Sequence, residues 1–147
     1  MHFLLENSSI YVRFVGGKVE LDTNTCIFAM KQKGNVIANL MKYKPEDICI
    51  SSITYAELVY GVEKSQAKDK NRLALTLFLS DIQIIPYDDN AAQEYGHIRA
   101  DLQQKGIPIG PMDMLIASHA KALGITIVTN NTNEFKRVNG LKLEDWL

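Results

Sequence analysis

Four acids in this chain stand where chemistry could be done. Asp22 ends the apolar run "VEL" and is followed by Thr23 and Asn24; Glu57 lies in "SSITYAELVYG", Asp113 in "GPMDMLIASHA", and Glu134 in "TNNTNEF". Each has an ordinary structural role open to it. The "DTN" triplet precedes a segment of helical apolar period and could cap it. Thr54 and Glu57 match the capping-box spacing, in which the glutamate reaches back to a backbone amide. Asn130, Asn131, Asn133 and Glu134 could form a plain polar turn. Asp113 resists such a reading. Gly110-Pro111 sets it near the third position of a helix, where the dipole favours an anion. Yet helical geometry also stacks it with Ile116, Ala117 and Ala120, on the apolar face. No basic residue lies within one turn on that face, and an unpaired buried charge is expensive.

The elements that must position these acids follow from periodicity. Short β-type runs are expected at 18–22, 47–51, 82–86 and 125–129, with "LKLEDW" as a last edge strand. Between them lie segments of helical period: "NTCIFAMKQK", "NVIANLMKY", "TYAELVYGVEKS", "KNRLALTLFLS", "DNAAQEYGHIRADLQQKG" and Pro111 to Leu123. Strands alternating with helices imply an α/β fold: a central, mostly parallel sheet with helices on both faces. Such sheets carry their chemistry where the carboxyl ends of strands run into helices. All four acids map to that edge.

Carboxylates gathered there would repel by about 3 kcal/mol per pair at ~5 Å and an effective dielectric near ~20. A bound cation removes the repulsion. Oxygen ligands without histidine or cysteine point to Mg²⁺ or Mn²⁺ rather than zinc, and a carboxylate-held divalent ion is the usual equipment for phosphodiester hydrolysis.

Composition sets the outer limits. The chain has 147 residues, 46% of them hydrophobic, enough for one core and too few for two comfortable domains. Sixteen basic residues against seventeen acidic ones leave a net charge of −1, which argues against a diffuse basic nucleic-acid binder. Cys26 and Cys49 sit in apolar surroundings without metal-type spacing, as expected of buried thiols in a cytoplasmic protein. The segment 1–17, "MHFLLENSSIYVRFVGG", lacks an early basic cluster and is interrupted by Glu6, Asn7, Ser8 and Ser9. It reads as an N-terminal extension rather than a signal peptide or membrane span. Gly16-Gly17 separates it from a domain over 18–147.

Several stretches together resemble one family. "LDTN", "ISSITYAELVYGVEKS", "IRADLQQKGIPIGPMDMLIASHAKALGITIVTNNTNEF" and "RVNGLKLEDW" are similar, in this order, to PIN-domain ribonuclease toxins of the VapC type. The resemblance covers residues 18 to 147 and implies a PIN-like fold and a Mg²⁺- or Mn²⁺-dependent endoribonuclease. The enzyme would be a homodimer silenced by a VapB antitoxin and would act on RNA, transfer RNA in particular. Carried over, it makes Asp22, Glu57 and Asp113 metal ligands. Asn131 stands near the family's fourth acidic position, with Glu134 the nearest carboxylate. Hydrolysis would proceed in line and leave a 5′-phosphate and a 3′-hydroxyl. Asp22 and Asp113 would hold the principal ion, while Glu57 and Glu134 would bind a second ion or orient the water. Asn24, Thr129 and Asn131 are candidates for bonding those carboxylates. Lys31, Arg99, Lys105, Lys136 and Arg137 are candidates for phosphate contacts, or equally solvated surface charges. One departure stands out: Glu20 occupies a strand that family members enter through apolar residues.

His119, six positions after Asp113 and about a third of a turn out of line with it, reads as a packing or surface histidine. His97 and His2 have weaker claims. Phe78, Tyr95, Phe135 and Trp146 read as core. A second class of function competes with the nuclease: a non-catalytic PIN-like module using the same acidic edge to hold a basic partner segment.

Overall fold

A computed structural model describes residues 18–147; the expected N-terminal extension, residues 1–17, lies outside the described residues. Five strands form one sheet: β1 (Val19–Leu21), β2 (Ile48–Ser51), β3 (Gln83–Ile85), β4 (Thr126–Val128) and β5 (Leu143–Glu144). Their spatial order is β3-β2-β1-β4-β5, and every neighbouring pair is parallel. The sheet is therefore wholly parallel, as far as the described residues go, where the sequence pattern implied a mostly parallel one. Residues of β1, β2 and the inner part of β4 are buried on both sides, which explains why their runs are largely apolar rather than alternating, with Glu20 the charged exception.

Helices cover both faces, as expected. One face carries α1 (Thr23–Met30), α2 (Val36–Leu40), α3 (Ser52–Glu63) and α4 (Lys68–Leu79). Here Cys26, Leu58, Val62 and Leu75 pack on Val19, Leu21, Ile48 and Ile50. The other face carries α5 (Asp89–Lys105), α6 (Pro111–Leu123) and the short α7 (Thr132–Phe135). There Ile98, Leu102, Ile116, Ala117, Ala120 and Phe135 pack on Ile127. The two clusters bury odd and even positions of the strands separately, the consequence of a two-residue side-chain period.

Local signals account for the boundaries that position the site. α5 and α6 both end at a glycine in the left-handed conformation, Gly106 and Gly124, which a side chain would strain. Pro111 occupies the first turn of α6, leaving Asp113 at its third position as the spacing predicts. α3 differs from expectation. It begins at Ser52, capped by the Ser51 hydroxyl, which accepts from the Ile53 amide at 3.1 Å. Thr54 lies inside the helix, and the capping box read from Thr54 and Glu57 does not form. The last strand is confined to Leu143–Glu144, after which Trp146 turns into the core and stacks on Tyr43.

Candidate active site at the carboxyl edge of the sheet

The strand order turns between β1 and β4. From β1 the chain moves outward to β2 and β3; β4 returns to the other flank of β1. Loops leaving β1 and β4 diverge above the sheet at this point and open a crevice, the usual place for a site in open parallel sheets. Asp22 follows β1, and Thr129 to Asn131 follow β4.

Asp22 is buried and doubly employed. Its amide donates to the Val128 carbonyl at 3.0 Å, fixing the end of β1 to the end of β4. Its Oδ1 accepts from the Thr25 amide at 2.9 Å, so the capping role is real. The second oxygen is not needed for the cap. Capping and ligand binding are therefore compatible in one carboxylate. Thr25 completes the local lock by donating its hydroxyl to Val128 O at 3.0 Å.

Glu57 projects from the second turn of α3 and accepts a 2.5 Å hydrogen bond from the Thr23 hydroxyl. This contact links α1 and α3 across 34 positions of sequence. Asp113 and Glu134 are joined through one amide group: Asn131 Nδ2 donates to Asp113 Oδ2 at 3.1 Å and also to Glu134 Oε2. Asn131 can do this because its own side chain does not cap α7, while its amide is held by Thr129 Oγ1 at 2.9 Å.

Electrostatics shows the four acids sharing one environment. Burial pushes the Asp113 carboxyl up to about 6, and the negative charges of Glu134, Asp22 and Glu57 push the same way; only the Asn131 hydrogen bond opposes them. Asp22 is also raised, first by burial, with hydrogen bonds from Thr129 and Thr25 opposing and Glu57 adding to the rise. No cationic side chain among the described residues enters either balance. Among the described residues, no three carboxylates, imidazoles or thiols close into a tight metal cage. Asn131 instead bridges Asp113 and Glu134, and Thr23 holds Glu57. The donor chemistry still fits a hard divalent ion: the four acids offer carboxylate oxygens, and an uncompensated negative field is what such an ion neutralises.

The other candidates separate clearly. Thr129 is buried, its hydroxyl accepts from the Asn131 amide, and it lowers the Asp22 carboxyl against the effect of burial. Asn24 is exposed, and the hydroxyl contact to Glu57 comes from Thr23 beside it. Lys31 lines an apolar-floored groove of about 430 Å³ that also contains Glu57, with Ile27, Leu58, Val62 and Leu75 as its floor. A larger hollow of about 710 Å³ around the Glu63–Lys70 loop contains none of the four acids. Arg137 donates to the Pro108 carbonyl at 2.8 Å, tying the region after α7 to the loop before α6. Lys105 pairs with Asp101 at 3.1 Å, and Arg99 bonds the Tyr95 hydroxyl at 2.9 Å. Lys136 is exposed. Lys31 is thus the basic candidate that shares a groove with a site acid.

Sequence reasoning missed two features. Thr23 was visible only as part of a capping triplet. Glu20 and His119 form a fully buried pair, Oε1 to Nδ1 at 2.6 Å, where a packing or surface histidine was expected. The signal for it was present in the isolated acid within an apolar strand.

Residues 19–141 match the family profile of the PIN domain. Over 129 residues the chain is 46% identical to the tRNA(fMet)-specific endonuclease VapC of Salmonella typhimurium, covering 88% of this chain and 98% of that protein. It is equally 46% identical to ribonuclease VapC2 of Rickettsia felis over 86% of this chain and 96% of its relative. The chain is a PIN-domain protein of the VapC family.

Solved structures agree on the architecture. DNA-bound VapBC from Salmonella typhimurium matches with a TM-score of 0.84 at 46% identity, over 89% of this chain and 99% of that one. VapBC2 from Rickettsia felis, bound to a promoter DNA fragment, matches at 0.82 and 43% identity, over 88% and 98%. Within this PIN-domain frame, the acid edge assembles from the segments after β1 and β4, the second turn of α3 and the first turn of α6. These are segments that only the tertiary fold brings together.

Proposed function

We propose that residues 18–147 form a PIN domain acting as the toxin of a toxin–antitoxin pair. It is an endoribonuclease that hydrolyses RNA phosphodiester bonds with Mg²⁺ or Mn²⁺ and is silenced by a VapB-type antitoxin. The observation that carries this reading is the state of Asp113: half-buried, raised to about 6 by burial and three further carboxylates, with no cation among the described residues to offset them. The names of the relatives support the reaction class, and the VapBC complexes among the solved structures support the antitoxin. Transfer RNA is the proposed substrate class, after the Salmonella relative.

Asp22 and Asp113 would hold the principal ion, with Glu57 and Glu134 placed for a second ion or for orienting water. When bound, a divalent ion supplies Lewis acidity toward a phosphate oxygen and makes a water easier to deprotonate. The chain's own groups do the rest. Thr23 holds Glu57 in one rotamer, and Asn131 keeps Asp113 and Glu134 aimed into the same crevice. Lys31, which lines the same groove as Glu57, would take a flanking phosphate. The near-neutral total charge is no obstacle, because a bound cation inverts the sign of the site.

The same reading includes a homodimer, for which the exposed apolar side chains Tyr60, Leu73 and Leu77 on α3 and α4 offer a surface. It also includes a cytoplasmic location, in keeping with two buried free thiols, Cys26 and Cys49. Among the described residues no helix is long and apolar enough to cross a membrane.

The test is cleavage of a transfer RNA pool by the full chain. Cleavage should require Mg²⁺ or Mn²⁺ and fall at least ~100-fold in Asp113→Asn, with the circular dichroism spectrum unchanged. Intact RNA under all metal conditions, together with tight binding of a basic antitoxin segment, would replace the nuclease by a binding module.

A further inference from the structure

Glu20 lies in the middle of β1, the central strand of the sheet, and no part of its side chain reaches solvent. It shares a strand face with Asp22, two residues on. His119 lies on α6, the helix that carries Asp113, and is equally buried. The 2.6 Å contact between Glu20 Oε1 and His119 Nδ1 therefore joins the two elements that bring Asp22 and Asp113 to the crevice. The histidine is held from its other side as well. Its Nε2 faces the Pro86 carbonyl at 3.3 Å, and Tyr87 stacks on the ring at 6.0 Å between centroids, with its hydroxyl 2.9 Å from Ser118 Oγ. Both ring nitrogens face acceptors, so ring position and plane are set by strand, helix and the loop after β3 together.

Stability does not explain this arrangement. A buried carboxylate–imidazole pair gains little or nothing over two well-packed apolar side chains, because desolvation offsets the attraction. Here it is not even fully satisfied: Glu20 Oε2 is buried without a hydrogen-bond partner. What a directional bond adds over apolar packing is register. Deeper along α6, Ile116, Ala117 and Ala120 share one apolar cluster with Ile127, and these contacts are non-directional. Such packing tolerates small slides, whereas ligand distances for a divalent ion must be met to about 0.2 Å.

We propose that Glu20 and His119 are positioning residues whose hydrogen bond sets the spacing of Asp22 and Asp113, and so the affinity of the acid edge for its divalent cation. This rests on the metal-site reading above. Neither residue touches the ion; each acts through the element it anchors.

The experiment is a Mn²⁺ titration of the full chain, counted by the loss of the free-ion electron paramagnetic resonance signal, on wild type and three variants. Asp113→Asn should lose tight Mn²⁺ binding. Glu20→Gln, which can still accept from His119, should stay within about threefold of wild type, whereas Glu20→Leu/His119→Leu should fold and bind Mn²⁺ ~10- to 100-fold more weakly. If the double variant does not fold, Glu20→Met with His119 retained is read in its place, with the same weakening expected. A folded apolar variant that binds Mn²⁺ like wild type overturns the positioning role and leaves the metal site standing, as does a Glu20→Gln protein as impaired as the apolar one. A wild type that binds no Mn²⁺, or an Asp113→Asn protein that binds it unchanged, overturns the metal site itself.

Discussion

Two carboxylate sites sit a few residues apart on the same strand and helix, and they solve the same electrostatic problem differently. Inside, Glu20 is matched by His119 at 2.6 Å, and the chain supplies its own partner. At the rim, Asp22 and Asp113 face Glu57 and Glu134 with only hydroxyl and amide groups to moderate them. The inner pair is closed and can act only on the framework. The outer group is open, and the charge it lacks must come from outside, as a metal ion or as a basic side chain of a partner. A buried acid becomes a functional site when the fold declines to neutralise it.

The largest expected effect sharpens this contrast in stability. His119→Ala strands Glu20 in the core without its partner and should cost about 3–5 kcal/mol in urea unfolding. Asp113→Ala removes like-charge repulsion and should leave stability unchanged or raised. Equal losses in both variants would erase the distinction between the inner and outer acids.

Next comes the external cation. Mg²⁺ or Mn²⁺ at ~100 times its dissociation constant should add about 2.7 kcal/mol to unfolding, because the ion binds only the folded chain. The gain should vanish in Asp22→Asn and survive in Arg137→Ala, whose guanidinium is engaged with the Pro108 carbonyl. Calorimetry with and without chelator checks this.

The pH dependence is smaller and has a definite sign. A carboxyl raised in the folded state binds more protons there than in the unfolded chain, so stability is present at low pH and declines as pH rises between the two values. For Asp113 that window runs from its ordinary 3.8 up to about 6. In chelator, the melting temperature should fall across this window more steeply in wild type than in Asp113→Asn. Divalent metal should flatten the difference.

The smallest effect tests the hydroxyl that orients Glu57. Thr23→Val removes one hydrogen bond, worth about 1 kcal/mol, and should slow RNA cleavage several-fold. Asn24→Ala, at an exposed position, should cost less than about 0.5 kcal/mol and leave cleavage unaltered.

The amino-acid order by itself determined the elements and the direction in which they run. Runs such as "DICIS" and "ITIVT", Gly106 and Gly124 as helix stops, and Pro111 at a helix start are local signals, and strands alternating with helices leave a parallel sheet as the natural packing. The position of Asp113 against an apolar helical face was legible for the same reason, since both depend only on neighbours within two turns. Partners across the fold were not legible. That Thr23 rather than Asn24 bonds Glu57, that Asn131 spans Asp113 and Glu134, and that Glu20 finds His119 at a separation of 99 positions are decided by strand order and register. Periodicity says which face a side chain takes; only the packed sheet says what stands opposite, because hydrogen bonds act over about 3 Å and carry no trace along the chain.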